Sequence, residues 1–172
     1  MKKFLLSLLF LMPLSGFAQK GIQGVGVNAG RNFSNYDSYA QVSLMYQHHL
    51  TNYLQIVPYF RHVNIDIVGN HDMNVKINSI GSDLHFFILN LISGRTTRLA
   101  PYVVGGISYG SYSGMDDYGY DSGYTFAAKA GLGTNYRITY HIALQVELNV
   151  EYYNEPYSRW FIAPGLGFAY TF

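Results

Sequence analysis

Residues 142–153 read IALQVELNVEYY, and their side chains alternate between apolar and polar from one residue to the next. The apolar set begins at Ile142 and recurs at every second position, while Gln145, Glu147 and Glu151 belong to the other set. A period of two is typical of a β-strand whose two faces meet different surroundings. At about 3.3 Å per residue, the stretch is long enough to cross the apolar part of a bilayer, for which about 9–11 residues suffice.

Similar segments recur along the whole chain. Alternation also predicts strands over residues 40–47, 54–61, 80–88, 125–133 and 160–172. Residues 23–30 and 100–109 are rich in Gly and Val, so they are predicted as strands whose faces stay unassigned. These segments and residues 142–153 together predict eight strands.

The connections between the predicted strands fall into two classes. Short turns are predicted at residues 49–52 and 137–140, with a longer one at 90–98. Polar loops are predicted at residues 31–38, 64–74, 110–123 and 154–158. Turns at one end and loops at the other are typical of an up-and-down antiparallel meander. The sequence therefore predicts one all-β domain, an eight-stranded antiparallel up-and-down barrel.

The first residues have the layout of a secretory signal peptide. Lys2 and Lys3 precede an apolar run, and small residues occupy positions 16 and 18. The run is too short for a membrane-spanning helix, which needs about 20 apolar residues. We therefore predict a signal peptide over residues 1–18, cleaved after Ala18, and a mature domain over residues 19–172.

Composition indicates which face of the strands points outward. Charged residues make up only 12% of the chain, against roughly 25% in soluble domains. The polar face of the last strand is built from small residues such as Ala163 and Gly165, which suit a narrow lumen better than a water-facing surface. Aromatic residues gather near strand ends, as in the girdles of transmembrane barrels, at Tyr39, Tyr46, Tyr53, Tyr136, Tyr140, Tyr152, Trp160, Tyr170 and Phe172. These features favour a transmembrane β-barrel over the alternative, an exported soluble calycin-like barrel that binds a ligand inside.

The signal peptide, the meander and the final residues GFAYTF (167–172) resemble the small outer-membrane β-barrels of Gram-negative bacteria, the OmpA-barrel and OmpX-like superfamily. The resemblance implies location in the outer membrane, contact with its lipids and recognition by the barrel-assembly machinery. It also implies that Gly167, Tyr170 and Phe172 form the assembly signal. The Ala18–Gln19 junction resembles signal peptides common in Bacteroidetes.

Several function classes are excluded by the sequence. The chain has no Cys, which excludes disulfides, thiolate metal sites, a cysteine nucleophile and a lipoprotein anchor. A net charge of +1 excludes a strongly basic nucleic-acid binder. None of the histidines is followed two residues later by Ser, which argues against the His-x-Ser pair of the lipid A deacylases, another eight-stranded family. We expect a protein without catalytic, cofactor or metal sites. We expect it to have a structural or interaction role, and its candidate partners include other membrane proteins.

Charged residues on the predicted inner faces are the first candidate site. They are Arg61, Asp83, His85, Lys129, Glu147 and Glu151. Unpaired buried charges are expensive, so we expect these side chains to form a paired polar network. The network is either a static plug or a narrow gated pore in which Lys129 and Glu147 exchange partners.

The predicted loop at residues 110–123 is the second candidate site. It contains Tyr112, Asp116, Asp117, Tyr118, Tyr120 and Asp121. Loops rich in Tyr, Ser and Gly are typical of adaptable recognition surfaces, although a solvated loop without a ligand has the same composition.

Overall fold

The computed structural model describes residues 23–34, 37–67, 73–93, 98–116, 119–154 and 159–172. The predicted signal peptide, residues 1–18, lies outside the described residues. Within them, no helix is both long and apolar enough to span a membrane.

Eight antiparallel strands close into a barrel, as the sequence predicts. In chain order they are β1 (Gln23–Phe33), β2 (Asp37–His49), β3 (Leu54–Ile67), β4 (Met73–Phe87), β5 (Leu99–Asp116), β6 (Gly119–Arg137), β7 (Ile142–Tyr153) and β8 (Arg159–Thr171). Each strand pairs with its neighbour in sequence, and β1 pairs with β8 to close the sheet. Closure leaves no unpaired strand edge, the condition that a sheet must meet in hydrocarbon.

The alternation in sequence correctly predicts the two faces of the sheet. In β7, Gln145 and Glu147 are buried in the lumen, whereas Val146 and Leu148 are exposed on the outer wall. The structure also fixes the faces that the sequence leaves unassigned: Val25 and Val27 of β1 point outward, as do Val103 and Ile107 of β5. The outer wall is thus lined by large apolar side chains from every strand.

Three details differ from the sequence prediction. Residues 110–116 belong to β5 and residues 119–123 to β6, so the predicted loop is largely a paired hairpin. Its Gly and Ser favour turns, but backbone pairing across the hairpin outweighs that local preference.

The turn after β4 begins with a short helix, α1 (Ile88–Ser93), in which the side chain of Asn90 donates a hydrogen bond to the Asn52 carbonyl (2.9 Å). Tyr39 lies in the lumen against Phe161 and Tyr153, and not in an outer girdle. The reason is its parity: residues two apart in a strand share a face, and Gln41 faces inward.

Apolar side chains cluster toward both ends of the lumen. Toward the loops, a cluster is formed by Tyr39, Val63, Ile65, Val75, Ile77, Ala127, Tyr153 and Phe161. Toward the turns, a second cluster is formed by Phe87, Ala100, Tyr102 and Val104. The buried charged residues lie between these two clusters.

Replacing Gly133 with valine is expected to lower the free energy of unfolding by about 1–3 kcal/mol, because overpacking forces neighbouring side chains from their rotamers. Gly133 is the cross-strand partner of Tyr102, and a Cβ there would overlap the tyrosine ring. The same change at Gly105 on the outer wall meets nothing within 4 Å and serves as the control. Urea unfolding of both variants in vesicles measures the difference, and equal stability would show that Tyr102 does not fill this space.

Candidate functional site in the barrel lumen

The structure brings all six predicted lumen residues inside the barrel. They come from four strands, Arg61 from β3, Asp83 and His85 from β4, Lys129 from β6, and Glu147 and Glu151 from β7. Each has a nearly inaccessible side chain. They form two ion-pair clusters at different depths.

The first cluster, on the loop side, is centred on Glu151. Arg61 Nη1 lies 3.0 Å from both carboxylate oxygens of Glu151, and the pair is almost completely buried. The Tyr153 hydroxyl donates to Glu151 Oε2 at 3.1 Å, and the amide of Asn32 donates to the same oxygen at 3.2 Å. Side chains from three strands, including β3 across the barrel, therefore converge on one carboxylate.

The second cluster, on the turn side, is centred on Glu147 and Lys129. Lys129 Nζ lies 2.6 Å from Asp83 Oδ2 and 3.8 Å from Glu147 Oε2. Glu147 also accepts hydrogen bonds from the Tyr102 hydroxyl (2.8 Å) and from the side-chain amide of Gln145 (2.9 Å). Charge-assisted hydrogen bonds of this kind are stronger than neutral ones, so Glu147 is held in place from several directions.

His85 packs beside the second cluster without joining it by a hydrogen bond. Its ring stacks on Tyr102 with centroids 4.3 Å apart, and Nε2 lies 3.6 Å from Glu147 Oε1. That separation is too long for a hydrogen bond. Neither ring nitrogen has a hydrogen-bond partner among the described residues.

Tyr59 connects the two clusters. The Arg61 guanidinium carbon lies 4.7 Å from the centroid of its ring, and Lys129 Nζ lies 5.2 Å from the same centroid. Both distances are within the range of cation–π attraction. A row of glutamines then continues from Gln145 toward the turns, because Gln47 donates to Gln145 (3.3 Å) and Gln55 donates to Gln47 (3.3 Å).

Little open space remains among these side chains. The cavity lined by Arg61, Asp83, His85, Lys129 and Glu147, together with their neighbours, has a volume of about 20 Å³. A cavity of that size holds about one water molecule. Among the described residues, no group of three or more His, Cys, Asp or Glu side chains is arranged to hold a metal ion.

Several members of the network are not among the predicted site residues. Tyr102, Gln145 and Asn149 bind Glu147, while Asn32 and Tyr153 bind Glu151. The inward parity of Gln145, Asn149 and Tyr153 is visible in the sequence. Nothing in the sequence indicates that Tyr102 and Asn32 reach these carboxylates, because that depends on strand register.

The predicted recognition residues of 110–123 lie at the far end of the β5–β6 hairpin. Tyr112 is half-buried and packs against the apolar cluster at the loop end, whereas Asp121 is exposed. The backbones of Asp116 and Tyr120 belong to paired strand ends, and Asp117 and Tyr118 lie outside the described residues.

The predicted assembly-signal residues occupy the end of β8. Gly167 faces the lumen, where its backbone approaches Val27 of β1. Tyr170 and Phe172 are exposed on the outside. The amide of Phe172 donates to the Gln23 carbonyl at 2.9 Å, which extends the closing seam between β1 and β8.

Comparison with known proteins identifies the fold. No protein-family model matches the chain, and no curated protein matches it in sequence. Neisserial surface protein A is 12% identical with a TM-score of 0.64, over 88% of this chain and 97% of that one. A major outer membrane protein from Thermus thermophilus is 13% identical with a TM-score of 0.63, over 88% and 99%. The attachment invasion locus protein Ail of Yersinia pestis is 15% identical with a TM-score of 0.55, over 88% and 97%. Together with the closed eight-stranded meander, these similarities show that the chain has the fold of the small eight-stranded outer-membrane β-barrels.

Proposed function

We propose that the protein is a non-enzymatic barrel of the Gram-negative outer membrane, exported by the N-terminal signal peptide, with a structural or interaction role. The observation that carries this proposal is the outer wall. Large apolar side chains are exposed there on all eight strands, for example Leu44, Ile80, Leu148 and Leu166. A soluble monomer rarely exposes a continuous apolar surface of this extent, whereas hydrocarbon requires one.

The contents of the lumen support a plugged barrel over an open channel. The charged side chains are paired across the barrel, and the cavity among them holds about one water molecule. A plugged barrel acts through its surfaces. The loop end displays residues for interaction, and the outer wall contacts lipid or partner membrane proteins.

The direction of the barrel follows from its connections. Transmembrane barrels place short turns in the periplasm and longer connections outside the cell. The turns between β2 and β3 and between β6 and β7 are short, so their end is assigned to the periplasm. In this orientation the barrel-assembly machinery recognises the C-terminal strand β8 through Gly167, Tyr170 and the following Phe172.

A narrow gated pore is the second candidate function. It is favoured by the position of Lys129, whose ammonium group lies near both Asp83 and Glu147 (2.6 and 3.8 Å). An exchange of partner between the two carboxylates would rearrange the middle of the lumen.

Membrane fractionation with gel mobility before and after boiling tests the proposed function. We expect the protein to sediment with the outer membrane and to change mobility on boiling, because a closed barrel resists SDS. Recovery in the soluble periplasmic fraction without a mobility change would contradict it and support the soluble calycin-like alternative. In planar bilayers we expect no conductance from the wild type. Conductance that Lys129→Met changes would instead support the pore.

A further inference from the structure

The connections at the two ends of the barrel carry opposite charge in their sequences. Those at the turn end, residues 48–53, 88–98 and 137–141, contain no Asp or Glu but include three arginines, Arg95, Arg98 and Arg137. The loop end contains only three Lys or Arg residues, Arg31, Lys76 and Arg159, against Asp37, Asp66, Asp72, Asp116, Asp117, Asp121 and Glu155. The turn end therefore attracts anions, and the loop end repels them.

Two of the arginines at the turn end are held side by side. The Arg137 amide donates to the Arg98 carbonyl at 2.8 Å, and Arg98 Nε donates to the Arg137 carbonyl at 3.2 Å. The Arg98 guanidinium also lies 5.3 Å from the centroid of the Tyr136 ring. These contacts fix the Arg98 side chain, while its terminal nitrogens make no hydrogen bond to a described residue. Within the described part of the chain, neither arginine forms an ion pair.

An open pocket of about 430 Å³ lies against these arginines, lined also by Ile138, Thr139 and Tyr140. Thr139 Oγ1 accepts hydrogen bonds from the amides of His141 (3.2 Å) and Ile142 (3.0 Å). The hydroxyl hydrogen therefore remains available for a ligand. The pocket thus offers several donors and two positive charges, the chemistry that binds phosphate.

The surroundings of the pocket distinguish a lipid phosphate from a free one. Leu99 and Ile138 are half-exposed apolar side chains, and the Tyr140 ring is 90% exposed. Exposed aromatic and apolar residues beside arginines are typical of the membrane interface, where head groups meet acyl chains. Lipid acyl chains would cover the apolar rim while the head group reached the guanidinium groups.

We propose that the pocket at Arg98 and Arg137 binds the phosphate of an anionic phospholipid in the periplasmic leaflet. The inference rests on the proposed location in the outer membrane. It adds a specific lipid site at one end of the barrel to the general contact between the outer wall and hydrocarbon.

Native mass spectrometry of the folded protein tests this site. Detergent micelles would contain phosphatidylglycerol or phosphatidylcholine, and the fraction of protein that retains lipid would be measured. Removal of one arginine near a membrane surface lowers affinity by a factor of about five. We expect the double variant R98Q/R137Q to lose at least about tenfold in phosphatidylglycerol affinity, and R98K/R137K to keep part of it.

The double variant R31Q/K76Q is the matched control, since it removes two basic residues from the loop end. We expect it to retain phosphatidylglycerol like the wild type. Equal losses in the two double variants would overturn the proposal, because they would show non-specific attraction. Competition by inorganic phosphate at equal strength would overturn the lipid assignment and indicate a free-phosphate site.

A second experiment distinguishes failure of the lipid site from failure of the proposed function. The wild type is inserted into phosphatidylcholine vesicles, and its gel mobility is compared before and after boiling. If the wild type inserts and changes mobility on boiling but shows no preference for phosphatidylglycerol, the lipid site alone is overturned. Wild type that does not insert would overturn both proposals.

Discussion

Replacing Glu151 with alanine is expected to lower the free energy of unfolding by about 3–5 kcal/mol, the usual cost of leaving one partner of a buried ion pair alone. Arg61 is only 4% exposed, and its guanidinium contacts both oxygens of Glu151 at 3.0 Å. Alanine would leave that positive charge inside the barrel without its carboxylate. Asn32 and Tyr153 would lose the same acceptor.

Urea unfolding of the protein in lipid vesicles measures this loss, with the midpoint and slope compared between variants. The double variant R61L/E151L is the control, because removing both charges leaves neither unpaired. Apolar replacement of a buried pair is often close to neutral, so the double variant should recover most of the stability lost in Glu151→Ala. A double variant as unstable as the single one would contradict the role assigned to the unpaired charge.

Replacing Leu148 with arginine is expected to lower the free energy of unfolding in a bilayer by about 2–4 kcal/mol, the cost of an arginine near the bilayer midplane. Leu148 lies halfway along β7 on the outer wall, 57% exposed, with apolar neighbours Leu132 and Pro164. The substituted side chain points away from the lumen, so the effect reports the surrounding medium and not the internal packing.

Ile138→Arg at the turn end is the control for this prediction. Ile138 follows β6 directly and is similarly exposed, but at the expected interface a charge costs only about 0–1 kcal/mol. The two variants should therefore differ clearly in refolding yield and in urea unfolding in vesicles. Equal stability in the two variants would indicate that water, not lipid, surrounds the barrel wall.

Most of the fold is visible in the sequence because the β-strand period is local. The alternation at residues 142–153 correctly predicts β7 and both of its faces, and the same parity places Arg61, Asp83 and Lys129 in the lumen. The prediction of a loop over residues 110–123 is wrong, because it weighs Gly and Ser content above the pairing of the two strands. Strand length there depends on hydrogen bonds to a neighbouring strand, which no local composition encodes.

The partners of the buried charged side chains are harder to predict from the sequence. Parity places a side chain inside the barrel, but its partner depends on register and on which strands face each other across the lumen. Arg61 meets Glu151 from β7, which is not adjacent to β3 in the sheet. Lys129 contacts Asp83 from β4, two strands away, at 2.6 Å. The predicted partner of Lys129 is Glu147, whereas its shorter contact is with Asp83.

The buried ion pairs also discriminate against misaligned barrels. A slip of one residue between neighbouring strands turns every side chain of the displaced strand to the opposite face. A slipped β3 would carry Arg61 into hydrocarbon, and a slipped β7 would carry Glu147 and Glu151 there. Strands built only from small apolar residues and glycine would tolerate such an error at little cost. The charges inside this barrel make the error expensive, so they select one register of the sheet over the slipped alternatives.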